Sequence, residues 1–227
     1  MVSSFRQIFF TSILLIVSII FFAKNNVDLV VQDIFFDFDT NKYILDSHLE
    51  PYKFIFYDGI KKLLILFAVS LLFAFIFLRK TQFVKTYKKG IIIVILSSIF
   101  IPLSVGALKK ETNMPCPKNE IRYGGLYPRT TVWESYKEDF KYKNDRIKCW
   151  PAGHASGGFA LLSLFFFFKK KRNQFIALAG ALTVGWSMGI YKMLVGDHFL
   201  SHTVITMLIA WLIVLIIAKS VERFSKL

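Results

Sequence analysis

Charged residues are almost missing from the long apolar stretches of this 227-residue chain, although it carries 29 lysines and arginines in all. Transport paths through a membrane place charge at mid-span, so the gap argues against a transporter. Internal repeats and low-complexity linkers are also missing, which leaves one integrated domain. Acidic residues number only 15, for a formal net charge of +14. No nucleic-acid-binding motif accompanies that surplus, so no nucleic acid partner is expected. Cysteine occurs twice and histidine four times. The Gly-x-Ser-x-Gly elbow of serine hydrolases is absent around Ser156, which reads as a capping or packing residue.

What remains is strongly apolar: 55% of the residues are hydrophobic and phenylalanine alone appears 25 times. A bilayer core of roughly 30 Å asks for about 20 apolar residues in a helix. Six runs approach that length: Gln7 to Phe22, Lys62 to Leu78, Ile91 to Leu108, His154 to Phe168, Gln174 to Leu194 and Phe199 to Ala218. They define an all-α fold, a six-span transmembrane helical bundle with an extracytoplasmic loop region. The first run is long, rich in Ile and Phe, and lacks a small-x-small cleavage pattern, so it reads as a retained span. The fourth is the shortest, and its Gly157 and Gly158 suit close packing on neighbouring helices. Residues 1–90 form a two-span region with an outer interfacial segment, and residues 91–227 a four-span core.

Lysine and arginine mark the cytoplasmic side. Arg79, Lys80, Lys85, Lys88 and Lys89 lie between spans two and three, Lys169 to Arg172 between four and five, and Lys219, Arg223 and Lys226 after span six. Such a collar favours anionic head groups, so membrane lipids are expected partners. The opposite side carries an Asp-rich first loop, with Asp28 and Asp33 among its carboxylates, and a long second loop. That second loop, Lys109 to Gly153, has ten Lys and Arg against six Asp and Glu, an excess that long loops carry across regardless. Asn25 to Asp58 reads as an interfacial helix resting on the outer face. The compact form, rich in Phe, Ile and Lys, fits a bacterial inner membrane with the histidine segments facing outward.

Cys116 and Cys149 both fall in the second outer loop. An even count facing an oxidising compartment points to a disulfide, with two free thiols as the alternative. Closing the loop restricts the unfolded chain by about 3 to 4 kcal/mol in the chain-entropy account. Three of the four histidines stand where loops meet apolar runs, in Pro151-Ala152-Gly153-His154 and in Asp197-His198-Phe199-Leu200-Ser201-His202. His198 and His202 are four apart and share a face if the run is helical. A histidine with one ring nitrogen held by a neighbour keeps the other free to attack an electrophile or bind a metal. His154, at the end of another run, is placed to give a proton to a departing group. Lys109, Lys110, Arg122 and Lys192 occupy the same outer segments, and cations converging on histidines imply an anionic substrate, most naturally phosphate.

In these stretches the chain resembles the type 2 phosphatidic acid phosphatases, a family that shares its core with the vanadium haloperoxidases. The family pattern runs Lys-x6-Arg-Pro, then Pro-Ser-Gly-His, then Ser-Arg-x5-His-x3-Asp. The stretches here are Lys109-x6-Cys116-Pro117, Pro151-Ala152-Gly153-His154 and Tyr191-Lys192-x5-His198-x3-His202, and the likeness covers roughly Ile91 to the C-terminus. It implies a lipid phosphate substrate and neither cofactor nor metal. It further implies that His198 attacks phosphorus, His154 protonates the leaving oxygen, and Lys109, Lys192 and the Gly153 turn bind phosphate oxygens. His202 takes the place of the aspartate that orients the nucleophile. Cys116 and Lys192 stand where the family has Arg, and Ala152 and Tyr191 where it has Ser. Lys for Arg keeps charge but loses the bidentate fork. Arg122, Lys110 or Arg129 could replace the charge missing at Cys116, Arg122 being equally readable as a solvated loop charge.

Lipid A, undecaprenyl diphosphate, phosphatidylglycerophosphate and phosphatidic acid all suit such a site, and a phosphotransferase would share it. A metal centre of His154, His198 and His202 is the chemical rival, with only Asp197 as a nearby carboxylate. If His202 orients His198 only while neutral, activity falls as the pH drops through the histidine range near 6.5, which a rate–pH profile checks.

Overall fold

The computed structural model describes residues 5–47, 49–142 and 144–224; Lys226 of the expected inner collar lies outside them. The chain opens with α1 (Phe5–Lys24) and a short α2 (Val27–Asp33), followed by an antiparallel pair of two-residue strands, β1 (Phe36–Asp37) and β2 (Lys42–Tyr43). A π-helical turn over Phe54–Asp58 runs directly into α3 (Gly59–Phe77). Next come α4 (Gln82–Glu111), a long loop with 3-10 turns at Pro117–Asn119 and Ile121–Tyr123, and α5 (Gly153–Ala160). A 3-10 turn, Leu161–Ser163, joins α5 to α6 (Leu164–Phe167); α7 (Lys171–Leu194) and α8 (Leu200–Phe224) complete the bundle.

Local signals account for the helix ends. Thr81 caps α4, its hydroxyl accepting from the Val84 amide at 3.4 Å. Lys109 and Lys110 sit in the last turn of α4, where the helix dipole favours cations. The core lies among α4, α5, α7 and α8, around Ile101, Phe159, Leu162, Ala210 and Val214. α1 packs on α8, whereas α3 leans on α4 without burying a single side chain.

Among the described residues, five helices are long and apolar enough to cross a membrane, where the sequence leads us to expect six. The expected fourth span, His154 to Phe168, is the shorter helix Gly153–Phe167. Its length of about 22 Å at the helical rise falls short of a bilayer core. It ends at Phe168, whose backbone is extended just before Lys169 and Lys170; inside the segment the Ser163 hydroxyl donates to the Ala160 carbonyl at 2.6 Å in a 3-10 turn. Enclosed by α4, α7 and α8, this segment needs no full lipid-facing length. The first outer segment is likewise no plain interfacial helix: α2 and the β1–β2 hairpin fold against the end of the bundle, with Asp28 and Gln32 buried.

Helices in lipid gain nothing from burying leucine against leucine and associate instead through close packing. α5 and α7 do so at glycine: a Cβ on Gly158 would stand 2.8 Å from the Gly185 Cα. A Cβ on Gly157 would meet only Leu64, at an ordinary 3.6 Å. We expect Gly158→Leu to cost about 1–3 kcal/mol through overpacking, and Gly157→Ala to be tolerated. Thermal unfolding of the detergent-solubilised variants checks the difference.

Candidate active site

The loop carrying His198 is built by the end of α7. Gly196 adopts φ +72°, the left-handed region, and a Cβ there would strike the Tyr43 ring at 2.4 Å. The chain then turns back, the Asp197 and His198 amides donating to the Lys192 carbonyl at 2.8 and 3.1 Å. That leaves His198 just before α8, only 2% exposed, with its Nδ1 3.2 Å from Nδ1 of His202 one turn further on. The i, i+4 spacing thus delivers the contact read from the sequence.

The second histidine segment hangs on α8. The Ala152 amide donates to the Thr206 hydroxyl at 2.8 Å, and that hydroxyl donates to the His202 carbonyl at 2.7 Å. The His154 ring consequently lies 6.0 Å, centroid to centroid, from that of His198, with the Tyr57 ring edge-on to it at 4.7 Å. Ser156 donates to the Gly153 carbonyl at 2.6 Å, the local role expected of it. His154 Nδ1 and His198 Nε2 are buried and find no hydrogen-bond partner among the described residues. Such atoms are costly to leave unpaired and suit a polar ligand.

Cations surround these rings. Lys109 Nζ lies 4.0 Å from the place a Cβ would take on Gly153. Asp197 bridges two lysines, Lys192 through Oδ2 and Lys118 through Oδ1, each at 2.7 Å. Lys192 Nζ also sits over the Tyr57 ring, 4.4 Å from its centroid. Burial alone would raise the Asp197 carboxyl; its two lysine partners outweigh that and hold it below the usual range.

The structure places Arg122 elsewhere. Its Nε and Nη2 donate to the two carboxylate oxygens of Asp33 at 2.9 and 2.6 Å, filling the guanidinium fork. Sequence reasoning passes over Lys118, two residues beyond Cys116. Pro117 opens a 3-10 turn there, and the Lys118 amide donates to the Gly196 carbonyl at 3.0 Å, which carries this cation to the histidine loop. A disulfide joins Cys116 to Cys149, with the Cα atoms 5.1 Å apart. Among the described residues, no three or more His, Cys, Asp or Glu side chains are grouped to hold a metal ion. Beside His154 a cavity of about 410 Å³ runs along α5 to Leu161, walled by Leu64 and Ala68 of α3 and Pro102 of α4, with Lys61 at its rim.

Residues 88–226 match the sequence model of the PAP2 superfamily. The chain belongs to the PAP2 superfamily. Membership supports a phosphoester hydrolase, and the long apolar helices fit an integral membrane protein. No curated protein and no solved structure matches the chain. The matched PAP2 stretch takes in Lys109, Lys118, His154, Lys192, His198 and His202, and leaves α1, α2, the hairpin and α3 outside.

Burial, then His202 and Lys109, hold His198 well below the usual histidine range, so its neutral form persists in acid. A base with a depressed pKa works above that pKa and fails only below it. The fall near pH 6.5 expected from the sequence belongs to His202; an acid limb carried by His198 is expected well under pH 6.5. A rate–pH profile that halves near 6.5 would contradict the enclosed site.

Proposed function

We propose that the chain hydrolyses a phosphate monoester or diphosphate of a lipid through a phosphohistidine on His198. The observation that carries this reading is the disposition of His198: Nδ1 held by His202 at 3.2 Å, and Nε2 buried without a partner among the described residues. In the reaction, the Nε2 lone pair attacks phosphorus and the ester P–O bond breaks. His154, charged beside the bound phosphate, gives its proton to the leaving oxygen. Water then attacks phosphorus, His154 takes back a proton, the P–N bond breaks, and inorganic phosphate departs. Lys109, Lys118 and Lys192 meet the charge that develops on the phosphoryl oxygens.

His202 selects the tautomer. Two Nδ1 atoms in hydrogen-bond contact share one proton, and only the form with the proton on His198 leaves His198 Nε2 unprotonated for attack. A carboxylate at this position always accepts, whereas an imidazole accepts or donates.

The apolar cavity beside His154 supports a lipid as the substrate, its chain lying between α3, α4 and α5 while the phosphate meets the histidines. Arg79, Lys80, Lys85 and Lys88, at the junction of α3 and α4, lie at the ends of those helices remote from Lys61 and Lys109. By the positive-inside rule they favour an outward-facing site, at the outer leaflet of an inner membrane.

The test is phosphate release from a panel of lipid phosphates by the detergent-solubilised protein, with a chelator in parallel. Chelator-resistant release that His198→Ala abolishes is the expected result; release that survives His198→Ala would sink the mechanism. His202→Ala should lower turnover by about 100-fold, and His202→Asp should exceed His202→Ala by about tenfold or more. Equal rates for the two His202 variants would remove the orienting role.

A further inference from the structure

The segment from Val27 to Leu45 lies outside the part of the chain that matches the family, yet two polar side chains of its short helix are among the most enclosed in the molecule: Asp28 is 2% and Gln32 1% exposed. Their partners explain the burial. Asp28 Oδ1 accepts from the Ser201 amide at 2.8 Å and Oδ2 from the Ser201 hydroxyl at 2.5 Å. Ser201 is in the first turn of α8, where backbone amides lack helical partners, so Asp28 caps α8 from 173 residues away. Gln32 Nε2 donates to the Met193 carbonyl at 3.0 Å, near the last turn of α7.

One face of α2 therefore spans the gap between the end of α7 and the start of α8. The residues between, Val195 to Phe199, include His198. The neighbouring hairpin closes the same loop from above, with Tyr43 against Gly196 and the Leu45 amide donating to the Leu194 carbonyl at 3.4 Å. Asp33, at the last residue of α2, takes Arg122 and the Tyr123 hydroxyl and so ties the helix to the long outer loop. Arg129 is the cation that faces Asp28, and Glu120 the other carboxyl near it.

We propose that Asp28 and Gln32 are positioning residues for His198, and that the segment Val27–Leu45 is a clamp that holds the nucleophile's loop at both ends. The catalytic consequence rests on the phosphohistidine reading; the clamp itself does not. Displacing a reacting group by about 1 Å costs on the order of 100-fold in rate, so small losses of the clamp register in turnover before they register in binding.

The test uses the full chain in detergent, with Asp28→Asn and Gln32→Ala made separately. Asp28→Asn exchanges one acceptor oxygen for a donor; Gln32→Ala removes one of the two donors to the Met193 carbonyl and leaves it only the Gly196 amide. On phosphatidic acid in mixed micelles, kcat per folded enzyme should fall about 10- to 100-fold, with KM changed by no more than about twofold. Ser201→Thr, which keeps the hydroxyl, should retain turnover, whereas Ser201→Ala should lose part of it. A second readout needs no substrate: carbethoxylation of His198 by diethyl pyrocarbonate, followed by mass spectrometry, should become several-fold faster in both variants as the loop loosens. A wild-type chain that releases no phosphate from the whole lipid panel would fail the phosphatase reading and leave the carbethoxylation rates to decide the clamp. Wild-type kcat together with wild-type carbethoxylation in both variants overturns the proposal. So does a loss of activity that only tracks the unfolded fraction.

Discussion

The contact between Nδ1 of His198 and Nδ1 of His202 asks for two imidazoles, both buried, to lie within a hydrogen bond of each other at the end of an apolar bundle. Polar groups removed from water are expensive unless partnered, and rings that can rotate do not stay aligned. Much of the surrounding structure serves that alignment. Thr206 ties the start of α5 to the His202 carbonyl, Gly196 turns the chain back under the hairpin, and Asp28 caps the helix on which His202 rides. The lysines stand around this pair rather than within it, two of them sharing one carboxylate. Lys192 and Asp197 are themselves largely withdrawn from water, so electrostatic attraction at the histidines is little screened.

Much of this is legible in the chain. Runs of apolar residues announce helices because length and periodicity are local properties, and the four-residue step from His198 to His202 brings the two rings together although His198 stands just before α8. The shortness of the run that follows His154 is legible, but its 3-10 turn at Leu161–Ser163 is not, since nothing in the local sequence marks a change of helix type there. The cation beside Asp197 is missed for a related reason. A motif counts positions along an extended chain, whereas it is the turn opened by Pro117 that carries Lys118 to Asp197. Arg122 attracts attention through its charge, but its partner Asp33 lies 89 residues earlier. The use of α2 is equally remote: Ser201 and Met193 are more than 160 positions away from the residues that hold them.

The departures from the family pattern read as exchanges. Tyr191 stacks on Phe56 at 6.2 Å where the family has a serine, Ala152 packs in the core and lends only its backbone amide, and Cys116 gives a covalent bond in place of a cation. In the proposed reaction phosphate recognition falls to lysines, point charges that lack the bidentate fork of arginine.

The bond between Cys116 and Cys149 spans 33 positions and makes the chain between them a closed ring. Lys118 stands just inside one end of that ring, and Pro151, which leads to His154, just beyond the other. A break in the backbone anywhere between Pro117 and Lys148 would leave the two halves of the protein covalently joined at the foot of the loop. The ring can therefore vary in length and sequence, or be nicked at its tip, while its base keeps α4 and α5 tethered at the site.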